Sequence, residues 1–291
     1  MIGKGCLKSG RSFDFIYPMV IRTHIPHSPL SDFVDLFWLF EGPQPSHAKE
    51  RVLPSGTMQI VINLHEDMLR VYERRSTDRF QSFRGSMLSG AQSEAVVIDT
   101  ASQRSLMGIH FKPGGAFPFL RLPATEVHNA HVSLDALWGA HAAELRDQLL
   151  EAESPAAKFH ILEHALWARV DYTAVRHPAV AFALKEFQSA LPAPMVSDVA
   201  GQIGLSSRRF IEIFSEEVGL TPKLFCRIHR FQEILRRVAT GRQVEWADVA
   251  CACGYFDQAH FIHDFRAFSG LNPTSYLTQR GAHRNHVPLH G

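Results

Sequence analysis

The feature that most constrains this chain is a unit it uses twice near its carboxyl end. "DVAGQIGLSSRRFIEIFSEEVGLTPKLF" runs from Asp198 to Phe225, and "DVACACGYFDQAHFIHDFRAFSGLNPTSY" runs from Asp248 to Tyr276. Asp198 and Asp248 stand 50 apart, as do Gly204 and Gly254; Gly219 and Gly270 stand 51 apart, as do Pro222 and Pro273. One residue is thus inserted after the first glycine of the second copy. A fixed period of this kind marks one supersecondary unit that has been duplicated.

Each copy carries its own start and stop signals. A short helix begins at the Asp, whose carboxylate suits a helix N-terminus. It stops at a glycine, where left-handed backbone is cheap. Ser206 or Ser207 in the first copy, and Asp257 in the second, can cap the next helix. That helix gathers aromatics on one face: Phe210 and Phe214, then Phe261, Phe265 and Phe268. Gly-x-x-Pro ends it. Helix, glycine turn, helix with a polar outer face is the helix-turn-helix plan.

This pattern assigns the outward residues. With Phe210, Ile213 and Phe214 inward, Ser207, Arg208, Arg209 and Glu212 face out. Arginine can contact guanine bidentately and glutamate can accept from cytosine, or Glu212 can hold an arginine in place. In the second copy Gln258 opens the helix, and His260 and His263 lie one turn apart off the aromatic face, followed by Arg266. Cys251 and Cys253 lie near these histidines, but Cys-x-Cys on a helix sends the thiols about 200° apart, and structural zinc sites use wider spacing. We expect small buried thiols and no metal.

The duplicated region resembles the DNA-binding domain of AraC/XylS-type transcription regulators, over about residues 178–280. The second copy carries the family's Asp-x-Ala-x-x-x-Gly-[Phe/Tyr] start, its Asp-Gln-x-[His/Tyr]-Phe entry and its Gly-x-x-Pro-x-x-[Tyr/Phe] end. The resemblance implies seven helices, with two helix-turn-helix units joined by a long central helix, here "TPKLFCRIHRFQEILRRVAT" (221–240). It implies a double-stranded DNA operator as partner, RNA polymerase as the target of activation, and base contacts at Gln258 and His263. The expected DNA-binding set is Ser207, Arg208, Arg209, Glu212, Arg227, Gln258, His260, His263 and Arg266.

Charge bears on this locally. The whole chain has a formal net charge of only +1. Residues 206–242 hold eight Lys and Arg against four Glu, a net of +4, while Asp248, Asp257 and Asp264 offset Arg266 and Arg280. The first copy and the central helix should therefore supply most of the salt-dependent attraction.

Upstream, "FVDLFWLF", "MQIVINL", "LRVYE", "AVVID" and "LMGIHF" read as short strands without helical spacers. They predict an antiparallel β-rich domain over 1–130, a sandwich or cupin-like barrel. "VLPSGTMQIVINL", "LSGAQSEAVVI" and "GIHFKPGGAFPFLRLPATEV" resemble the N-terminal domain of many AraC-type regulators, which implies a small-molecule sensor. "PSG" reads as a turn and "KPGG" as a strand-to-helix junction. His65, Glu66 and His110 could be drawn together as a cupin-like metal set, but the resemblance includes no metal motif.

"VSLDALWGAHAAELRDQLLEA" and "SPAAKFHILEHALWARV" then read as two helices, within a helical linker over 131–172. Their apolar stripes (Leu145, Leu149, Leu162, Leu166, Trp167) suit either a homodimer seam or the sheet of their own domain. The helix-turn-helix domain is expected over 173–280, with a tail at 281–291.

The expected fold class is thus α+β with two domains: antiparallel β-rich with flanking helices, then all-α with two helix-turn-helix motifs. The function expected is a sequence-specific transcription regulator under effector control. An enzyme or metal-sensing domain fused to a DNA-binding tail is the alternative. Gly-x-Ser-x-Gly, Gly-x-x-x-x-Gly-Lys and His-Glu-x-x-His are all missing from the sequence, so no catalytic residue and no cofactor is expected. The N-terminus has basic residues without an apolar run behind them, and no stretch approaches a membrane span. With four cysteines, this leads us to expect a cytoplasmic protein with reduced thiols.

Overall fold

The computed structural model describes residues 20–73, 76–100, 103–171, 176–240 and 244–289. Its strands are β1 (Val20–His24), β2 (Val34–Glu41), β3 (Lys49–Val52), β4 (Gln59–Asn63), β5 (Leu69–Glu73), β6 (Ser76–Phe83), β7 (Ser86–Ser89), β8 (Val96–Asp99), β9 (Ser105–Phe111), β10 (His131–Ser133) and β11 (His286–Leu289). They form two antiparallel sheets, ordered β1-β2-β9-β4-β7-β10 and β11-β3-β8-β5-β6.

The first sheet is buried on both faces. Val61, Met87 and Leu106 meet Leu69, Val71 and Phe83 of the second sheet. Phe37, Leu39, Ile60, Ile62 and Ile109 face the other way, into a large core shared with the helices. A strand covered on both sides reads as a continuous apolar run, which is why "QIVIN" and "FWLF" do not alternate. The architecture is the β-rich domain with flanking helices and the all-α domain that the sequence predicts.

The first predicted helix is in fact two. Gly139, at φ +61°, separates α2 (Leu134–Trp138) from α3 (Ala140–Glu151), following the short α1 (Phe117–Leu120). Next, α4 (Pro155–Trp167) starts as the sequence suggests, with the Ser154 hydroxyl accepting from the Ala157 N–H. The stripe of α3 and α4 is spent inside the chain: Leu145, Leu149, Leu162 and Leu166 are all buried in the large core. Only Trp167 and Leu150 of these helices expose substantial apolar surface.

Seven helices follow among the described residues: α5 (Pro178–Ser189), α6 (Val196–Ile203), α7 (Ser207–Val218), α8 (Pro222–Thr240), α9 (Trp246–Ala252), α10 (Gln258–Ser269) and α11 (Pro273–Gln279). Asp198 and Asp248 lie in the first turns of α6 and α9 and do not cap them; these helices begin at Val196 and Trp246, two residues earlier than the duplicated aspartates suggest. The carboxylates still face the positive helix end.

The two halves share one core, and the seam between them is tight. Gly219, at φ +80°, ends α7 and also packs on the β-rich half: a Cβ there would lie 2.9 Å from Met58 Cε and 3.1 Å from the Ala124 carbonyl. The Gln232 side chain donates to the Pro54 carbonyl at 2.7 Å. Beyond α11 the chain returns to the β-rich half, where β11 pairs with β3 along its whole length. Val287 is fully buried there, and His286 Nδ1 lies 3.0 Å from Glu50 Oε2.

Candidate nucleic-acid interface

Both copies of the repeat build the same corner. In the first, Gly204 takes φ +74° after α6, and the Ser206 hydroxyl accepts from the Arg209 N–H. In the second, Gly254 takes φ +75° after α9, and the Asp257 carboxylate accepts from the His260 N–H at 2.7 Å. Each second helix buries its predicted aromatics, Phe210 and Phe214 on α7, and Phe261, Phe265 and Phe268 on α10. Satisfied caps and a buried aromatic stripe fix which face each helix shows to solvent.

On α7 that face carries Ser207, Arg208, Arg209 and Glu212, all exposed, with Ile211 beside them. Glu212 sits between the arginines: Arg208 Nε is 3.1 Å from Oε1, and Arg209 Nη1 is 3.5 Å from Oε2. The hydrogen bond from Arg208, more than any other influence, holds the Glu212 carboxyl below the usual carboxylate range. Of the two roles open to Glu212 in the sequence, orienting the arginines is the one its geometry displays. On α10 the face carries Gln258, His260, His263 and Arg266, all exposed.

Arg227 is half-buried and borders one cleft with His260 and His263. Its guanidinium grips Asp264 of α10, with Nη2 2.6 Å from Oδ1 and Nε 3.4 Å from Oδ2, and it lies 5.2 Å over the Phe268 ring. Asp264 is only 1% exposed. The sequence count sets Asp264 against Arg266 and Arg280; it is the buried half of an ion pair with Arg227 that ties α10 to the central helix α8. Arg230 is engaged as well, donating to the Gly254 carbonyl at 3.1 Å. Arg236 and Arg237 both pair with Glu233. Glu212 and Glu233 are already within the net of +4 along 206–242, so Asp264 is the carboxylate from outside that stretch that offsets one charge more; Arg242 lies outside the described residues.

Cys251 is exposed and Cys253 is buried, so the two thiols face different surroundings. Burial pushes the Cys253 thiol up to about 11 and that of Cys226 up to about 12. Among the described residues no three His, Cys, Asp or Glu side chains are placed to hold a metal ion. His110 faces Thr57 and Asp35, whereas His65 and Glu66 are exposed. Cys6 lies outside the described residues.

A second feature lies on the domain seam, and sequence reasoning did not find it. A cavity of about 460 Å³ is walled by β2, β9 and the 55–57 turn on one side and by α5 and α8 on the other. Lys112, Arg176 and Lys185 bring three cationic side chains to it, against one carboxylate, Asp35. Burial lowers the His110 and His229 pKa values, which disfavours the charged form of both rings. Arg176 Nε and His229 Nδ1 are buried there without a hydrogen-bond partner, although Arg176 does donate through Nη2 to the Pro113 carbonyl. The one usable sequence signal is "KPGG", whose Lys112 and Pro113 line the cavity.

Two family models match the chain. One, described as a Helix-turn-helix domain, covers residues 199–279. The chain carries an AraC-type helix-turn-helix DNA-binding domain. The other, described as a domain of unknown function (DUF6597), covers residues 22–133, nearly the whole β-rich half. None of the curated proteins matches. Among solved structures, the chain is similar to a transcriptional regulator with an AraC-type DNA-binding domain from Chromobacterium violaceum, at 19% identity over 36% of this chain and 93% of that one, with a TM-score of 0.33. It is also similar to a probable AraC family transcriptional regulator from Rhodopseudomonas palustris, at 23% identity over 35% and 96%, with a TM-score of 0.32. A third, the unsaturated fatty acid bound ToxT of Vibrio cholerae, matches at 10% identity over 79% and 91%, with a TM-score of 0.43. No described helix is long and apolar enough to cross a membrane.

Proposed function

We propose that this protein is a sequence-specific transcription regulator that reads duplex DNA with α7 and α10 and answers to a small molecule held on its domain seam. The observation that carries the first part is the pair of identically capped helices, each with a polar exposed face, braced on one central helix. In this reading Arg208 and Arg209, set by Glu212, contact bases or phosphates from the first copy, together with Ser207. Gln258, His260, His263 and Arg266 do so from the second. Arg227 serves as scaffold. Binding selection on random duplexes followed by footprinting tests the reading: it expects two contact patches about one helical turn apart on one face of the duplex. A single patch, or no selected sequence, overturns it. Arg208→Ala should cost about 1–3 kcal/mol on the selected site.

The effector part rests on the seam cavity. Its three cations, its unpartnered Arg176 Nε and the exposed Ala181 in its lining suit a compact organic anion. Its two walls belong to different domains, so a ligand bridging them favours one interdomain arrangement and shifts the population that binds DNA. Operator affinity measured across a panel of small carboxylates, with Arg176→Gln and Lys185→Gln as controls, tests this. An affinity unmoved by every member of the panel leaves a DNA binder without this control. RNA polymerase and a second copy of the chain complete the proposed partners.

A further inference from the structure

Phe256 is the residue by which the second copy departs most from the first. It falls where the one-residue insertion lengthens the turn, and it is 93% exposed, while its neighbour Tyr255 is buried. Burying an apolar ring is the ordinary fate of phenylalanine, and here the protein offers it no contact of its own. The turn that presents it is nonetheless fixed. Gly254 packs against Pro192, where an added Cβ would come within 2.7 Å. Arg230 holds the Gly254 carbonyl and lies 4.6 Å over the Tyr255 ring. On the other side of Phe256, Asp257 caps α10. The ring therefore projects from a braced corner at the N-terminal end of the second recognition helix, the end that meets base edges in a helix-turn-helix.

We propose that Phe256 is a specificity-determining residue that contacts the C5-methyl group of a thymine in the major groove read by α10. This rests on the DNA-reading assignment above. The chemistry fits the surroundings: Asp248 and Asp257 are exposed and offset Arg266 and Arg280 of this copy, so it depends less on phosphate contacts. A methyl group is the one apolar handle that the major groove displays, and phenylalanine is among the side chains that recognise it.

The test is a cycle of protein and DNA changes on the selected operator. Each thymine of the half-site protected by α10 is replaced in turn by uracil, which deletes only the methyl group. Wild-type protein should lose about fourfold in affinity at one position, the factor for one methyl-sized group removed from water. F256A should bind the thymine duplex more weakly by at least that factor and should not distinguish thymine from uracil there. The substitution is at an exposed site, so folding is not at stake; F256L, which keeps an apolar contact, should retain part of the discrimination. If F256A binds as wild type does, or still discriminates as wild type does at every position, the assignment of Phe256 is overturned. Absence of any selected operator would instead strike the DNA-reading assignment itself, so the two failures are distinguishable.

Discussion

Replacing Arg227 with methionine separates a scaffold from a DNA contact. Asp264 is almost fully buried, and its carboxylate receives both Arg227 nitrogens, at 2.6 and 3.4 Å. His260 and His263 come no nearer than 3.9 and 3.8 Å. Removing the guanidinium strands a carboxylate that is 1% exposed, and breaking one side of a buried pair costs about 3–5 kcal/mol. That is a large part of the roughly 5–15 kcal/mol that holds a domain together. With an m-value of about 2 kcal/mol/M, the urea midpoint should fall by roughly 1.5–2.5 M. The double variant R227M/D264L replaces both charges by apolar groups and should recover most of the loss, since such swaps are often close to neutral. Arg227 also has an alternative job, neutralising a phosphate, which would change the slope of log affinity against log salt by about 0.9. The scaffold role leaves that slope unchanged for whatever fraction stays folded. An R227M protein with an unchanged urea midpoint and a slope lower by about one would refute the reasoning.

Two further outcomes follow from buried groups. Burial pushes the Glu217 carboxyl up to about 7, against the His177 N–H and Arg176, which favour its charge. With the folded pKa above the unfolded value of 4.5, the folded state binds more protons between those values, and stability falls as pH rises from about 4.5 to 7. E217Q should therefore melt higher than wild type at pH 8, by up to about 3 kcal/mol of stability, and show no gain at pH 4; equal gains at both would sink the argument. V287D places a charge where β11 joins the shared core. It should release that strand from β3, read as faster amide exchange over residues 49–52; unchanged exchange there would mean that β11 is dispensable to the sheet.

Signals confined to neighbouring residues were legible in the sequence. The duplicated spacing, the glycines at positive φ, and the caps at Ser154, Ser206 and Asp257 all act within a turn of helix, so composition and period suffice to read them. The strands rich in Val, Ile and Phe, and the outward faces of α7 and α10, follow for the same reason. Weak strands were missed: "KERV", "SMLS" and "HVPL" have little intrinsic signal and become strands because a partner strand supplies their hydrogen bonds.

What tertiary structure alone decided is which charges meet. Arg227 and Asp264 are 37 residues apart, and Glu50 and His286 are 236 apart; a sequence shows their presence but not their pairing. The seam cavity has the same origin, since its cations come from the turn after β9, from the segment before α5 and from α5 itself, brought together only when the halves share a core. Local backbone preference is written residue by residue. A buried ion pair or a cavity between domains exists only once distant segments have excluded water together, and that is settled by packing.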